Sequence, residues 1–351
     1  MHYCKRNISL FFSLLFLLVS NQSFSSTVWQ KGMSYTPWWW SALSTTNSDS
    51  SIQVMASDSV EWVGLNEFWF QDDENSSVIT GDPTKYSAST ESIKYAIDQI
   101  HARGMKVMLK PNIDLRNGNW RAYINPSNAW FSSYSSFIQF WADLATEKSV
   151  DMLCIGCEYK NTQSWDSSWR MIAATARAHY SGPITYAANH DDYNTITWWD
   201  ALDYIGIDAY FALTGTNTPT LSQLSSAWET KANAIQTWRN TNFPTLPVIF
   251  TEIGYQSADG CNQTPWNTTS GIADATEQNN CYEACFEVMT QRNWFYGMYW
   301  WQWDTDPNSG GPTTTTFTPQ NKSTETTVRT WYSKNLSSVP VPLELSDFDT
   351  H

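Results

Sequence analysis

A single-domain (β/α)8 barrel is the fold this sequence predicts, and three observations lead there. Eight short apolar runs of strand length recur along the chain, separated by polar loops or by segments of helical period. The chain has 351 residues, enough for a barrel of about 250 residues plus insertions. No G-x-G-x-x-G or phosphate loop follows the first run, which disfavours the open doubly wound sheet.

The runs lie at 32–35, 62–65 continuing to Phe70, 105–109, 152–157, 184–188, 204–207, 248–250 and 297–300. Helical segments fall between them at 89–103, with apolar Ile93, Ile97 and Ile100, and at 132–147, with Phe137, Phe140 and Leu144. Others are expected at 165–179, 221–239 and 273–292, with a last one at 323–333 to close the barrel. Strands alternating with helices pair in parallel. The catalytic domain then spans 26–336, with a C-terminal tail at 337–351.

Residues 1–25 read as a secretory signal peptide. Lys5 and Arg6 precede an apolar stretch from Ile8 to Val19, followed by Ser23, Ser25 and Ser26. The stretch is too short to span a bilayer comfortably, so the expectation is a secreted, extracellular or periplasmic protein with no membrane attachment after cleavage. A formal net charge of -14 argues against nucleic acid as a partner, since phosphate backbones are met by basic surface. With five histidines and no H-E-x-x-H, no metal is expected. No cofactor is required, and a monomer is expected.

Cys4 leaves with the signal. Cys261, Cys281 and Cys285 cluster after the 248–250 run, where a disulfide from Cys261 to Cys281 or Cys285 would suit an exported protein. Cys154 and Cys157 have C-x-x-C spacing, but residues three apart in a strand face opposite sides, so packing is the better reading. The 21 tryptophans are too many for one core, and several stand in polar contexts such as Trp38-Trp39-Trp40 and Trp198-Trp199-Asp200. Exposed aromatic faces suit the apolar faces of pyranose rings.

In such a barrel the active site lies at the C-terminal strand ends. The residues collected there are Trp38, Lys110, Asn112, Asp114, Glu158, Asn189, Asp208, Tyr210, Glu252, Trp301 and Trp303. Glu158 and Glu252 each end an apolar run, where an ionised carboxylate is costly unless it is paired or functional. By the two-residue period Glu158 shares a face with Gly156 and Cys154, and Glu252 with Phe250 and Val248. Both then point at one cavity, from strands placed so that the carboxyls can stand roughly 5 to 5.5 Å apart, the spacing of a retaining glycosidase. The partner expected is a polysaccharide or oligosaccharide. Glycosidases on other glycans, a transglycosylase and a non-catalytic carbohydrate-binding protein are the alternatives.

Lys31-Gly-Met-Ser-Tyr35, Met105-Lys-Val-Met-Leu-Lys-Pro111, Cys154-Ile-Gly-Cys-Glu158, Tyr204-Ile-Gly-Ile-Asp-Ala-Tyr210, Phe250-Thr-Glu-Ile-Gly-Tyr255 and Tyr299-Trp-Trp-Gln-Trp303 resemble the β-mannanases of glycoside hydrolase family 113, in clan A. The resemblance implies a retaining endo-acting enzyme on β-1,4-linked mannose polymers. It also implies Glu158 as acid/base, Glu252 as nucleophile, Trp301 as an aromatic floor and Tyr210 beside the nucleophile. Two departures stand out: Cys157 precedes Glu158 where the clan commonly has Asn, leaving Asn189 to meet the sugar 2-hydroxyl, and Asn112 stands where His is expected.

Overall fold

The computed structural model describes residues 29–267 and 270–336, so residues 1–25, expected to be a signal peptide, and the 337–351 tail lie outside the described residues. Eight parallel strands close into a barrel: β1 (Gln30–Tyr35), β2 (Trp62–Gln71), β4 (Lys106–Leu115), β5 (Met152–Cys157), β6 (Ile184–Asn189), β7 (Ile205–Asp208), β8 (Val248–Ile253) and β9 (Phe295–Trp303), with β9 returning to β1. The two-residue β3 (Thr80–Gly81) pairs antiparallel to the end of β2. Around the barrel run α1 (Thr46–Ser57), α2 (Thr90–Ala102), α3 (Asn128–Glu147), α4 (Asp166–His179), α5 (Leu221–Asn242), α6 (Ala275–Met289) and α7 (Ser323–Tyr332).

Helix α1 departs from the predicted pattern because its buried face is partly polar. Ser48 and Ser51 sit there beside Ile52 and Met55. The hydroxyl of Ser48 pairs with that of Tyr35 at 2.7 Å, and Ser51 accepts from Trp303 Nε1 at 2.9 Å. Side chains that bury through hydrogen bonds leave no apolar stripe to read. Between β6 and β7 no α-helix is present; two 3-10 turns (Tyr193–Thr195 and Trp199–Ala201) make the crossing. Trp198 and Trp199, read as loop aromatics, are fully buried there. Trp198 stacks on Trp169 at 4.9 Å and donates to the Gln163 carbonyl at 2.9 Å.

Two apolar layers hold the fold. The larger lies between sheet and helices; the smaller fills the barrel with Trp62, Met108, Met152, Cys154, Cys157, Ala187, Ile249 and Tyr299. The Tyr299 ring needs the space that Gly32 leaves, since a Cβ there would stand 2.6 Å from it.

The regular two-residue period fails at both candidate carboxylates. Cys154 faces the interior and Ile155 the helices, but a Cβ on Gly156 would also point outward, 2.7 Å from the Tyr186 ring, so two consecutive residues face out. The register against β6 shifts at this place. Cys157 therefore turns inward, and both thiols of the C-x-x-C belong to the interior layer instead of diverging. In β8, Val248 and Phe250 face the helices while Ile249 faces inward, and a second register shift lets Thr251 and Glu252 both turn to the interior. Glu158 does not share a face with Gly156, nor Glu252 with Phe250. Bulges that re-aim a side chain do what simple alternation was expected to do.

Cys261, Cys281 and Cys285 are all buried free thiols, so the expected disulfide is not formed. Among the described residues no helix is long and apolar enough to cross a membrane.

Candidate active site

The C-terminal strand ends surround a cleft of about 750 Å³. Its walls include Trp38, Phe68, Tyr86, Asp114, Trp120, Arg121, Glu158, Asn189, His190, Asp191, Tyr210, Glu252, Trp266, Trp301 and Phe317, more apolar than polar but with both glutamates exposed to the space.

Glu252 is held from two sides. Tyr210 donates its hydroxyl proton to Oε2 at 2.8 Å, and the Lys110 ammonium meets Oε1. The same ammonium lies 3.3 Å from Asp208 Oδ1, and Asp208 also accepts from Thr251 at 2.8 Å. Burial alone would lower the pKa of Lys110, but the negative charges of Asp208 and Glu252 more than offset it and hold the group well above its usual range. The buried cation thus keeps its charge, and Glu252 accepts from two donors, one of them cationic.

Glu158 follows β5 in a left-handed backbone conformation, φ 58°. Its amide donates to the Ala187 carbonyl at 2.8 Å, which ties this turn to β6. Trp120 Nε1 lies 3.4 Å from its Oε2. Burial, then the negative charge of Asp208, opposed by Arg121 and reinforced by Glu252, pushes its pKa up to about 8. Burial and Glu252 also raise Asp208, to about 6. One carboxyl is therefore held protonated at neutral pH beside another held by cation and phenol, the division of labour that general acid and nucleophile require.

Arg121 occupies the flank of this pair. It donates through Nε to Asp114 Oδ1 at 2.8 Å and through Nη1 to Cys157 Sγ at 3.2 Å, while Tyr86 donates to Asp114 Oδ2 at 2.7 Å. Its guanidinium lies over the Phe68 ring, 5.5 Å from the centroid. Trp38 stands edge-on to Trp301 at 6.4 Å and stacks on Phe68 at 6.1 Å. The Trp301–Gln302 peptide is cis.

Of the residues read from sequence, Trp38, Asp114, Glu158, Asn189, Tyr210, Glu252 and Trp301 line the cleft. Lys110 and Asn112 do not. Both are 1% exposed beneath the cleft floor, where Lys110 serves the carboxylates and Asn112 Nδ2 donates to the Lys110 carbonyl at 3.0 Å. Trp303 is also core, 1% exposed. The strand-end rule missed Trp120 and Arg121, which lie only a few residues past the end of β4, and His190 and Asp191, directly past β6. Following each strand a few residues further would have found them. Trp266 and Phe317, in long loops after β8 and β9, carry no positional signal.

Ligand-type atoms converge in three places among the described residues: Cys157, Glu158 and Asp208; Cys261, Glu277 and Cys281; and Asp259, Asp274 and Glu277. Their carboxylates already have work. Asp208 is bound to Lys110 and Thr251, and Glu277 accepts from the Gly260 and Asn262 amides at 2.8 and 3.0 Å. Burial, furthermore, raises the Cys157 thiol far above the range in which it would bind a metal as thiolate.

Comparison with known proteins agrees with this geometry. A β-mannanase of glycoside hydrolase family 113 from Alicyclobacillus acidocaldarius, solved in complex with ManMIm, is similar at 26% identity and a TM-score of 0.79, over 87% of this chain and 97% of that one. A GH113 β-1,4-mannanase solved as a complex shares the fold at 23% identity and a TM-score of 0.77, over 88% of this chain and 100% of that one. A β-glucuronidase from Ruminococcus gnavus in complex with D-glucuronic acid shares the barrel more distantly, at 12% identity and a TM-score of 0.58, over 87% of this chain and 49% of that one. No curated protein sequence matches significantly. The sequence model of Glycoside Hydrolase Family 113 matches residues 33–322, nearly all of the barrel with its two strand-end glutamates, and the chain belongs to that family of glycoside hydrolases.

Proposed function

We propose that this protein is a secreted, monomeric, retaining endo-β-1,4-mannanase acting on mannan or glucomannan. The observation that carries the chemistry is the pair Glu158 and Glu252 in one aromatic cleft, with one carboxyl raised to about 8 and the other bound by Lys110 and Tyr210. The mannan reading is supported by similarity to the solved mannanases. Export is supported by the pattern of residues 1–25, and endo action by a cleft with walls on both sides of the glutamates.

In the proposed cycle ionised Glu252 attacks the anomeric carbon while Glu158 gives its proton to the departing glycosidic oxygen. Water then attacks the glycosyl ester, losing a proton to Glu158, and two inversions leave the configuration retained. Trp301 and Trp38 offer apolar faces to the ring being cut. Asn189 is the side chain for its 2-hydroxyl: it lines the cleft, and its Oδ1 is buried without a hydrogen-bond partner among the described residues.

The test is incubation with mannan, glucomannan, cellulose and xylan, following product sizes by chromatography and the first-formed anomer by proton NMR. Internal cleavage of the mannans with β-anomer appearing first is the expected result. An α-anomer appearing first overturns retention, and activity confined to cellulose or xylan overturns the substrate.

A further inference from the structure

Lys322, the residue before α7, is a buried cation that the proposed cycle leaves without a part. It is 6% exposed. Its ammonium binds no carboxylate among the described residues; it donates to Ser257 Oγ at 2.8 Å, to the Thr316 carbonyl at 2.9 Å and to the Thr318 carbonyl at 2.6 Å, and lies 3.3 Å from Thr316 Oγ1. Burial lowers its pKa to about 8, and the charge of Asp304 offsets only part of that shift. An ammonium taken out of water without a bound counter-charge is costly, and an apolar side chain would fill the same space without that cost. What the ammonium adds is several donors converging on one turn.

We infer that Lys322 is a positioning residue for the reaction: its ammonium fixes the 316–318 turn, so that Phe317 keeps the Tyr210 phenol on Glu252. This rests on the reading of Glu252 as nucleophile given above. The two carbonyls that Lys322 binds are those on either side of Phe317. The carbonyl of Phe317 itself accepts from Gln278 Nε2 at 2.9 Å, and the same amide group donates to the Tyr255 carbonyl at 2.8 Å. Three successive carbonyls of the turn are thus tied down, two of them by one side chain.

From the turn the contact runs straight to the nucleophile. Phe317 lines the cleft and stands edge-on to Tyr210, with the ring centroids 6.3 Å apart at 75°. On another side it packs over Gly254, two residues past Glu252, where a Cβ would stand 3.1 Å from the Phe317 ring. Tyr210 in turn donates to Glu252 Oε2 at 2.8 Å. Ser257 joins the same turn to the segment after β8: its amide donates to the Thr316 carbonyl at 3.1 Å and its hydroxyl to the Thr314 carbonyl at 2.6 Å. A misplacement of about 1 Å in a group that serves the reacting atoms can cost on the order of 100-fold in rate, so a ring that limits the swing of Tyr210 matters to turnover.

Without the ammonium the turn keeps its links to Ser257 and Gln278, so the barrel and α7 stay in place. What is lost is the grip on both sides of Phe317. The effect then falls on the step that needs Tyr210 and not on substrate affinity.

The experiment is a double-mutant cycle on mannotetraose, with Lys322→Met and Lys322→Gln each made in the wild type and in Tyr210→Phe. In the wild type, Lys322→Met should lower kcat about 10-fold with KM within about 2-fold and native circular dichroism. In Tyr210→Phe, which has no phenol left to position, the same change should lower kcat less than 2-fold. Lys322→Gln keeps an amide donor and should cost about 3-fold in the wild type and nothing measurable in Tyr210→Phe, so it decides the same question should the Met variant not fold. A merely structural lysine would give equal losses in both backgrounds; that result, or a folded Lys322→Met with kcat within 2-fold of wild type, overturns the inference. Glu252→Gln separates the two readings: full activity there removes the nucleophile and the inference with it, whereas its inactivity beside either overturning result removes the inference alone. If the wild type cuts a different β-glycan, the mannan reading fails separately, and the same cycle on an oligosaccharide of that glycan still decides the role of Lys322.

Discussion

At the residue scale, the chemistry reduces to how one carboxyl keeps its proton. Glu158→Gln and Glu252→Gln should each lower turnover by orders of magnitude with native circular dichroism, and an unimpaired, folded variant would remove that residue from the mechanism. The pH profile follows from the sign of the shift. As the proposed general acid Glu158 acts protonated, so kcat/KM should fall on an alkaline limb near pH 8. Asp208→Asn removes the second-largest cause of that shift and should move the limb to lower pH, which a kcat/KM profile will read. The same shift costs stability. The unfolded carboxyl releases its proton near its ordinary 4.5 and the folded one near 8, so the native state binds more protons between them and loses stability as pH rises through that window. Glu158→Gln should therefore raise the melting temperature at pH 8 and show a vanishing advantage toward pH 4. Trp301, partly exposed in the cleft, should behave as a substrate contact. Trp301→Ala is expected to reduce kcat/KM on mannan oligomers about 100-fold with a small change in Tm, and the reverse pattern would make it a packing residue.

At the element scale, the two bulges decide where the glutamates go. Gly156 is the pivot in β5, because a Cβ there would stand 2.7 Å from the Tyr186 ring and 3.0 Å from Trp169. Gly156→Ala should cost about 1–3 kcal/mol in denaturant unfolding, typical of overpacking, and also lower kcat by moving Glu158. Gly215→Ala, with nothing within 4 Å of the added methyl, should leave both unchanged and serves as the control. A loss of stability without loss of kcat would separate the bulge from the site. The strands and most helices were legible from period and length, and their ends gave seven of the cleft residues. The bulges were not legible, because a shift of register is a relation between two strands and neither sequence shows it alone. Nor was α1, whose buried serines find partners in Tyr35 and Trp303 from the two strands that close the barrel.

At the scale of the whole molecule, closure joins the first strand to the last. Tyr332 on α7 is fully buried and donates to the Gly32 carbonyl at 2.8 Å, spanning nearly the full domain. Tyr332→Phe should cost about 1 kcal/mol through that hydrogen bond, while Tyr332→Ala should cost about 3–5 kcal/mol by leaving a cavity against Trp29 and Phe286. Equal effects of the two, measured by urea unfolding, would mean that the ring contributes little beyond its hydroxyl.

The sequence by itself determined the barrel and the two glutamates, because hydrophobic period is local and because a carboxylate at the end of an apolar run is conspicuous wherever it occurs. It also determined the family, whose motifs are short and contiguous. The tertiary structure decided which side chains meet those glutamates. Lys110 reaches Glu252 across 142 positions of chain, Arg121 reaches Cys157 around a strand, and Trp266 reaches His190 from a loop with no pattern of its own. Such meetings depend on strand register, bulges and loop paths, which are fixed only when the barrel closes.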